Sequence, residues 1–239
     1  FSGVIMKDNT ILIKNAFILD SNNFKGKKQS LLIKNDKISE ISSRIDENDV
    51  DKIIDATGKI LLPGFINTHT HLSMTLFRGL ADDLSLDSWL NDYIWPMEAN
   101  LTGDYSYIGA LLGAIELIKS GTTTFSDMYF YMEDVARAVD DAGLRAVLSY
   151  GMIDFSDADK RANEIKENMA LFDKCNGMAD GRIKVFFGPH SPYTASEELL
   201  KEIRKLANEY NIGIHIHVSE TQKEINDILN EKGLRPLLN

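Results

Sequence analysis

The 239-residue sequence has one cysteine, Cys175, so no disulfide forms within the chain. Its neighbourhood, Asp173-Lys174-Cys175-Asn176-Gly177, reads as a helix end, and the thiol reads as a bystander rather than a nucleophile. Long basic clusters are missing: 36 acidic residues face 26 basic ones, for a net charge of −10. That balance argues against nucleic acid and anionic membrane as partners, and it serves solubility. No apolar run approaches the roughly 18 residues needed to span a bilayer. No signal-peptide pattern is visible, and Phe1 to Ile5, which precede Met6, read as vector residues. The lone cysteine fits a reducing cytoplasm. Low-complexity linkers are absent too. The length allows a large core in one or two domains.

Histidine is scarce but concentrated. Four of the five histidines form two His-x-His pairs, His69/His71 and His215/His217. The first closes the run Leu61-Leu62-Pro63-Gly64-Phe65-Ile66-Asn67-Thr68-His69-Thr70-His71. Phe65 to Thr70 reads as a short apolar strand after a Pro-Gly turn. Side chains alternate along a strand, so residues two apart face the same way and two imidazoles aim into one space. Neutral imidazole is a good ligand for zinc and similar metals. The second pair ends the run Ile212-Gly213-Ile214-His215-Ile216-His217-Val218. Glu220 follows three residues later, with the chemistry of a proton shuttle. A single such pair is more often a satisfied or solvent-facing one than a metal site. Two pairs, each ending an apolar strand and one trailed by a carboxylate, point to a metal site.

The chain changes pattern near residue 63. Before it, Thr10 to Leu19, Ser30 to Ile33 and Lys37 to Ile41 read as short strands, with turns at Asn22-Asn23, Gly26 and Asn35-Asp36. After it, strands alternate with helices. The strands are expected at Phe65–Thr70, Thr122–Asp127, Arg145–Tyr150, Ile183–Gly188 and Ile212–Val218. The helices are expected at Tyr105–Lys119, Glu133–Ala142, Ala158–Phe172, Ser196–Tyr210 and Glu220–Glu231. Ser196 before Glu197 and Glu198 suits a helix start. Five strand–helix units predict a parallel α/β fold.

The sequence resembles the amidohydrolase superfamily, in its S-adenosylhomocysteine/5′-methylthioadenosine deaminase branch, with chlorohydrolases as relatives. The resemblance rests on Ile54-Asp55-Ala56-Thr57-Gly58-Lys59 leading into Pro63 to His71, on Gly188-Pro189-His190-Ser191-Pro192-Tyr193, and on His215-Ile216-His217-Val218-Ser219-Glu220-Thr221. It implies a (β/α)8 TIM barrel over residues 63–239, with residues 1–62 as the N-terminal part of a small β-sandwich. Such barrels carry their chemistry at the C-terminal ends of strands, where both pairs fall. Only five of eight units are found, so the chain reads as an N-terminal fragment of a longer enzyme. Alone it is expected to be inactive, and to pair with another copy or a complementary C-terminal segment.

The resemblance further implies hydrolytic deamination of adenosine-type nucleosides with one divalent metal, zinc or iron. It makes His69, His71 and His217 ligands and Glu220 the general acid/base. No lysine ends the fourth strand, since Lys184 lies near its start, which favours one metal over two. His190 would contact substrate at the barrel mouth, or else is a turn histidine between Pro189 and Pro192. His215 is the non-ligand member of its pair, in packing or support. Glu98 would hold ribose hydroxyls and Trp89 line a thioether channel; the other account is a surface helix with a buried tryptophan. Arg161 would pair with an amino-acid carboxylate, or belongs to a solvated helix face with Lys160 and Lys166. Tyr150 stands where the family often has arginine, which disfavours homocysteine-bearing substrates. Two alternatives stay open: hydrolysis at another ring (guanine, cytosine or a triazine), and a catalytically inactive structural or binding module.

Overall fold

The computed structural model describes residues 9–20, 23 and 25–236; Phe1 to Ile5, Asn22 and Leu237-Leu238-Asn239 lie outside them. The chain divides into two compact units between Gly64 and Phe65.

The first unit is a sheet built around β1 (Thr10–Leu19). β2 (Gly26–Lys34) pairs antiparallel with β1, and β3 (Lys37–Ser42) pairs with β2. β4 (Lys52–Asp55) and β5 (Ile60–Leu61) run parallel to β1, against successive stretches of it. The sequence pattern misses these last two, because four and two residues are too few to display alternation. The β1–β2 register shifts between Ile13 and Ala16, where Asn15 adopts a left-handed conformation (φ 65°). Asparagine tolerates that region better than most residues. Leu12, Ala16 and Leu31 form the buried side.

The second unit holds a four-stranded parallel sheet in sequential order: β6 (Phe65–Thr70), β7 (Thr122–Tyr129), β8 (Arg145–Met152) and β9 (Ile183–Pro189). The chain after β6 forms a 3₁₀ segment (Leu72–Phe77), then α1 (Leu86–Ser88), a π-helical turn (Trp89–Ile94) and α2 (Trp95–Glu98). Pro96 has no N–H to donate and sits just past the wide turn. The crossing helices are α3 (Gly103–Lys119), α4 (Met132–Ala142) and α5 (Ala158–Cys175). After the short turn α6 (Met178–Gly181) and β9 come α7 (Glu197–Tyr210) and α8 (Gln222–Lys232). Helix starts follow sequence chemistry. Thr102, Asp157, Ser196 and Thr221 each accept an N–H from three residues ahead. Gly143 closes α4 at φ 74°.

Strands covered on both faces read as apolar runs, and here they supply the core. Phe125, Leu148 and Val185 pack with Ala110, Val135 and Val139 from α3 and α4. Phe187 and Met152 pack under Leu199 and Ile203 of α7. Cys175, the last residue of α5, is buried, and burial pushes its thiol up to about 11. No helix of the described residues is long and apolar enough to cross a membrane.

The expected strand Ile212–Val218 requires correction. Among the described residues this segment makes one isolated parallel bridge, Phe187 with Ile214. The Phe187 N–H donates to Gly213 O (3.0 Å) and the His215 N–H to Phe187 O (2.8 Å). The next rung would need an N–H from residue 189, which is proline. Pairing resumes off register, with the His217 N–H donating to His190 O at 3.0 Å.

Helix α3 lies close on the 3₁₀ segment. A Cβ at Gly109 would sit 2.5 Å from the Ser73 carbonyl oxygen. Gly→Ala inside a helix ordinarily stabilises by about 0.5–1 kcal/mol. Gly109→Ala should instead destabilise by about 1–3 kcal/mol through overpacking. Chemical denaturation decides this, and a variant as stable as the parent would show the contact is soft.

Candidate metal centre

β6 delivers His69, and His71 stands one residue past its end. His217 comes from the loosely paired segment beside β9. Ring nitrogens of these three lie within 4.8 Å of one another. Two of the rings are fixed from behind. His71 Nδ1 donates to the Met128 carbonyl at 2.6 Å, and His217 Nδ1 donates to the His190 carbonyl at 2.8 Å. Each proton therefore sits on Nδ1, and both Nε2 atoms present lone pairs, 3.2 Å apart. Two facing lone pairs repel unless a cation lies between them. Ligands about 2.0–2.1 Å from a tetrahedral zinc ion are separated by roughly 3.3 Å. The donor set thus fits a divalent cation, with the backbone carbonyls as outer-shell orienting groups.

His215 faces the same interior but plays a different part. Its Nε2 lies 3.2 Å from His69 Nδ1, and its Nδ1 lies 3.3 Å from Ser126 Oγ. Burial is the first cause that pulls His71, His190 and His215 down to about 4, and it lowers His69 as well. These imidazoles are neutral near pH 7, as metal ligation requires.

The end of β7 holds the neighbouring parts. Asp127 is fully buried; its Oδ1 accepts the Leu72 N–H at 2.9 Å, while Oδ2 has no partner. Burial pushes this carboxyl up to about 7. Met128 supplies the carbonyl under His71. The Tyr129 hydroxyl donates to Glu98 Oε1 at 2.6 Å, and burial raises the Glu98 carboxyl.

Glu220 is exposed at the turn into α8. Its N–H and that of Ser219 are both accepted by the buried Glu224 carboxylate, at 2.9 and 2.8 Å. Ser219 takes a left-handed conformation there (φ 61°). One cavity is lined by His71, His190, His217, Glu220, Trp89 and Glu98. His190 is anchored through Nδ1 by Thr194 Oγ1 at 2.9 Å, which leaves Nε2 toward the cavity.

Arg161 is not brought there. Its Nε is held by the buried Asp154 (3.0 Å) and its Nη2 by Ser196 Oγ (3.2 Å). Lys160, on the same helical turn, faces an adjoining cavity that shares Trp95, Glu98, Phe130 and Ile153 with the first.

Sequence reasoning missed Tyr129, Asp127 and Glu224. For Glu224 a signal was present: Thr221-Gln222-Lys223-Glu224 has the spacing of a capping box. The expected strand stopped at Asp127, two residues short, and nothing in the pattern marks Tyr129.

Comparison with known proteins agrees with this geometry. Residues 60–237 match the amidohydrolase family model, and the chain belongs to that family. It is 80% identical over 231 residues to a 5′-deoxyadenosine deaminase of Methanobrevibacter smithii, covering 97% of this chain and 53% of that protein. It is 50% identical to a 5-methylthioadenosine/S-adenosylhomocysteine deaminase of Thermococcus onnurineus, covering 96% of this chain and 54% of that protein. A crystal structure of an adenosine deaminase from Xanthomonas campestris with bound zinc superposes with a TM-score of 0.85 at 29% identity, covering 95% of this chain and 53% of that one. The chain thus spans about half the length of the relatives it matches, and its second unit has the architecture of a partial (β/α)8 barrel.

The half-buried histidines set a pH dependence. Their folded-state values near 4 lie below the ordinary 6.5. Between these values the histidines of the unfolded chain bind more protons, so their contribution to metal-free stability is full above about pH 6.5 and falls toward about pH 4, while Asp127, pushed up to about 7, works in the opposite direction. Denaturation midpoints of chelator-treated protein across this range should show the fall, and His215→Gln should flatten it. An unchanged slope in that variant would assign the loss to other groups.

Proposed function

We propose that the protein carrying this chain is a metal-dependent hydrolase that deaminates adenosine-type nucleosides and releases ammonia. The observation that carries this is one cavity bordered by His71 and His217 lone pairs, a carboxylate at Glu220, and a second carboxylate with a tryptophan at Glu98 and Trp89. The names of the relatives, 5′-deoxyadenosine deaminase and 5-methylthioadenosine/S-adenosylhomocysteine deaminase, support the same substrate class.

His69, His71 and His217 would hold the cation, with zinc favoured over iron by the imidazole set and by the zinc-bound relative. The cation supplies Lewis acidity that makes water nucleophilic near neutral pH. Glu220 would take a proton from the attacking water and deliver it to the ring nitrogen beside the carbon bearing the amine, then carry the second water proton to the amine, which leaves as ammonia. His190, neutral and anchored at Nδ1, offers Nε2 to the base. Glu98 accepts from ribose hydroxyls, and Trp89 covers the apolar 5′ side. Arg161 would meet an amino-acid carboxylate only by leaving Asp154 and Ser196 Oγ, which hold it beside the start of α7.

Residues 1–62 are assigned to a β-sandwich and 63–239 to the barrel. Among the described residues β6 pairs on one side within its sheet and Ile214 makes a single bridge, which favours a second copy or a complementary C-terminal segment as partner. The single buried cysteine supports a reducing, cytoplasmic setting.

Ammonia release from 5′-deoxyadenosine, methylthioadenosine, S-adenosylhomocysteine, guanine and a chlorotriazine tests the reading, and activity confined to the last two would overturn it. Glu220→Gln should lower kcat by about 10²-fold or more while metal content holds. Near-parent turnover would remove Glu220 from the chemistry. His217→Ala should cut metal content, whereas His215→Ala should retain most of it.

A further inference from the structure

We infer that Tyr129 is a positioning residue for sugar recognition: its hydroxyl fixes one oxygen of Glu98 so that the other meets the vicinal diol of a ribose. This rests on the nucleoside reading above.

Glu98 stands where electrostatics oppose a carboxylate. It ends α2, at the negative pole of a helical stretch. It is half-buried, and no ion pair among the described residues includes it. Burial accordingly raises its carboxyl. A carboxylate so placed needs donors. Tyr129 supplies one, at 2.6 Å, which is the short length of a charge-assisted bond. The four lone-pair sites of a carboxylate leave room for more, and Glu98 lines the cavity that holds His71 and His217. Two adjacent hydroxyls are the donor pair that a half-held carboxylate accepts.

Tyr129 suits the task. It is 5% exposed and ends β7, where its backbone pairs with Tyr150 of β8, so burial confines its ring. The ring lies 6.2 Å from that of His71 and 5.4 Å from that of Phe130. The same rigid strand end therefore sets both the metal centre, through Met128 O, and the sugar-binding carboxylate. Burial and the neighbouring Glu98 hold the phenol well above its usual range, so it remains a donor.

The test compares a 5′-deoxyribonucleoside of adenine with its 2′,3′-dideoxy counterpart, in the natural protein containing this chain. Tyr129→Phe keeps the ring and removes the hydroxyl. It should lower kcat/KM for the diol-bearing substrate about tenfold, chiefly through KM, as expected for a lost bond to a charged group. The dideoxy substrate should change by less than about twofold on the same principle, with metal content unchanged. On a Glu98→Ala background, Tyr129→Phe should cost nothing further in diol discrimination. Equal losses on both substrates, or no loss on either, would overturn the inference. If neither substrate is deaminated, the functional reading fails separately, and calorimetric binding decides. A diol preference that depends on Tyr129 upholds the inference, and equal binding of the two nucleosides overturns it.

Discussion

Two backbone carbonyls determine what this molecule can do. Met128 O and His190 O each take the Nδ1 proton of a histidine, at 2.6 and 2.8 Å, and so turn two Nε2 lone pairs toward one point. A carbonyl cannot rotate away or change its charge. The tautomer and the ring plane are thus set by the strand ends themselves. Around that point stand a third histidine from β6, a carboxylate at the turn into α8, and a neutral histidine on the rim.

The strand β7 carries more of this burden than any other element. Three consecutive residues at its end act on three different parts. Asp127 holds the Leu72 N–H, Met128 holds His71, and Tyr129 holds Glu98. Alternation sends side chains 127 and 129 to one face, so one short stretch reaches the segment after β6 and the end of α2. A shift of this strand by one residue would break all three contacts at once. On the other side, Glu224 does comparable work for Glu220 by gathering two turn amides.

The parts legible in the sequence were those with period or punctuation. Helices α3, α4, α5 and α7 appear within a few residues of their expected positions, because their caps and apolar spacing are local. The His-x-His pairs were legible because two of them end apolar runs and a carboxylate follows the second, although only His69 lies within a strand. What escaped depends on partners far along the chain. β4 and β5 are defined by pairing with β1 rather than by their own pattern. The wide turn at Trp89–Ile94 has no signature beyond Pro96. Tyr129 reads as one more aromatic at a strand end until Glu98, 31 residues away, is placed against it.

The proline at 189 gives the site two mechanical halves. β6 pairs with β7 from Phe65 to Asn67 and again at Thr70, with register shifts between, and His71, just past its end, is clamped by Met128 O. The Gly213–Glu220 stretch is tied to its neighbour by three backbone hydrogen bonds around a missing rung. Sparse pairing of this kind belongs to the low end of local stability. One half is therefore the firmer support, with several ladder pairs behind His69 and His71. The other half, bearing His217 and Glu220, has the compliance to let these two side chains shift together, which the proposed deamination would need as its ring carbon turns from planar to tetrahedral and back.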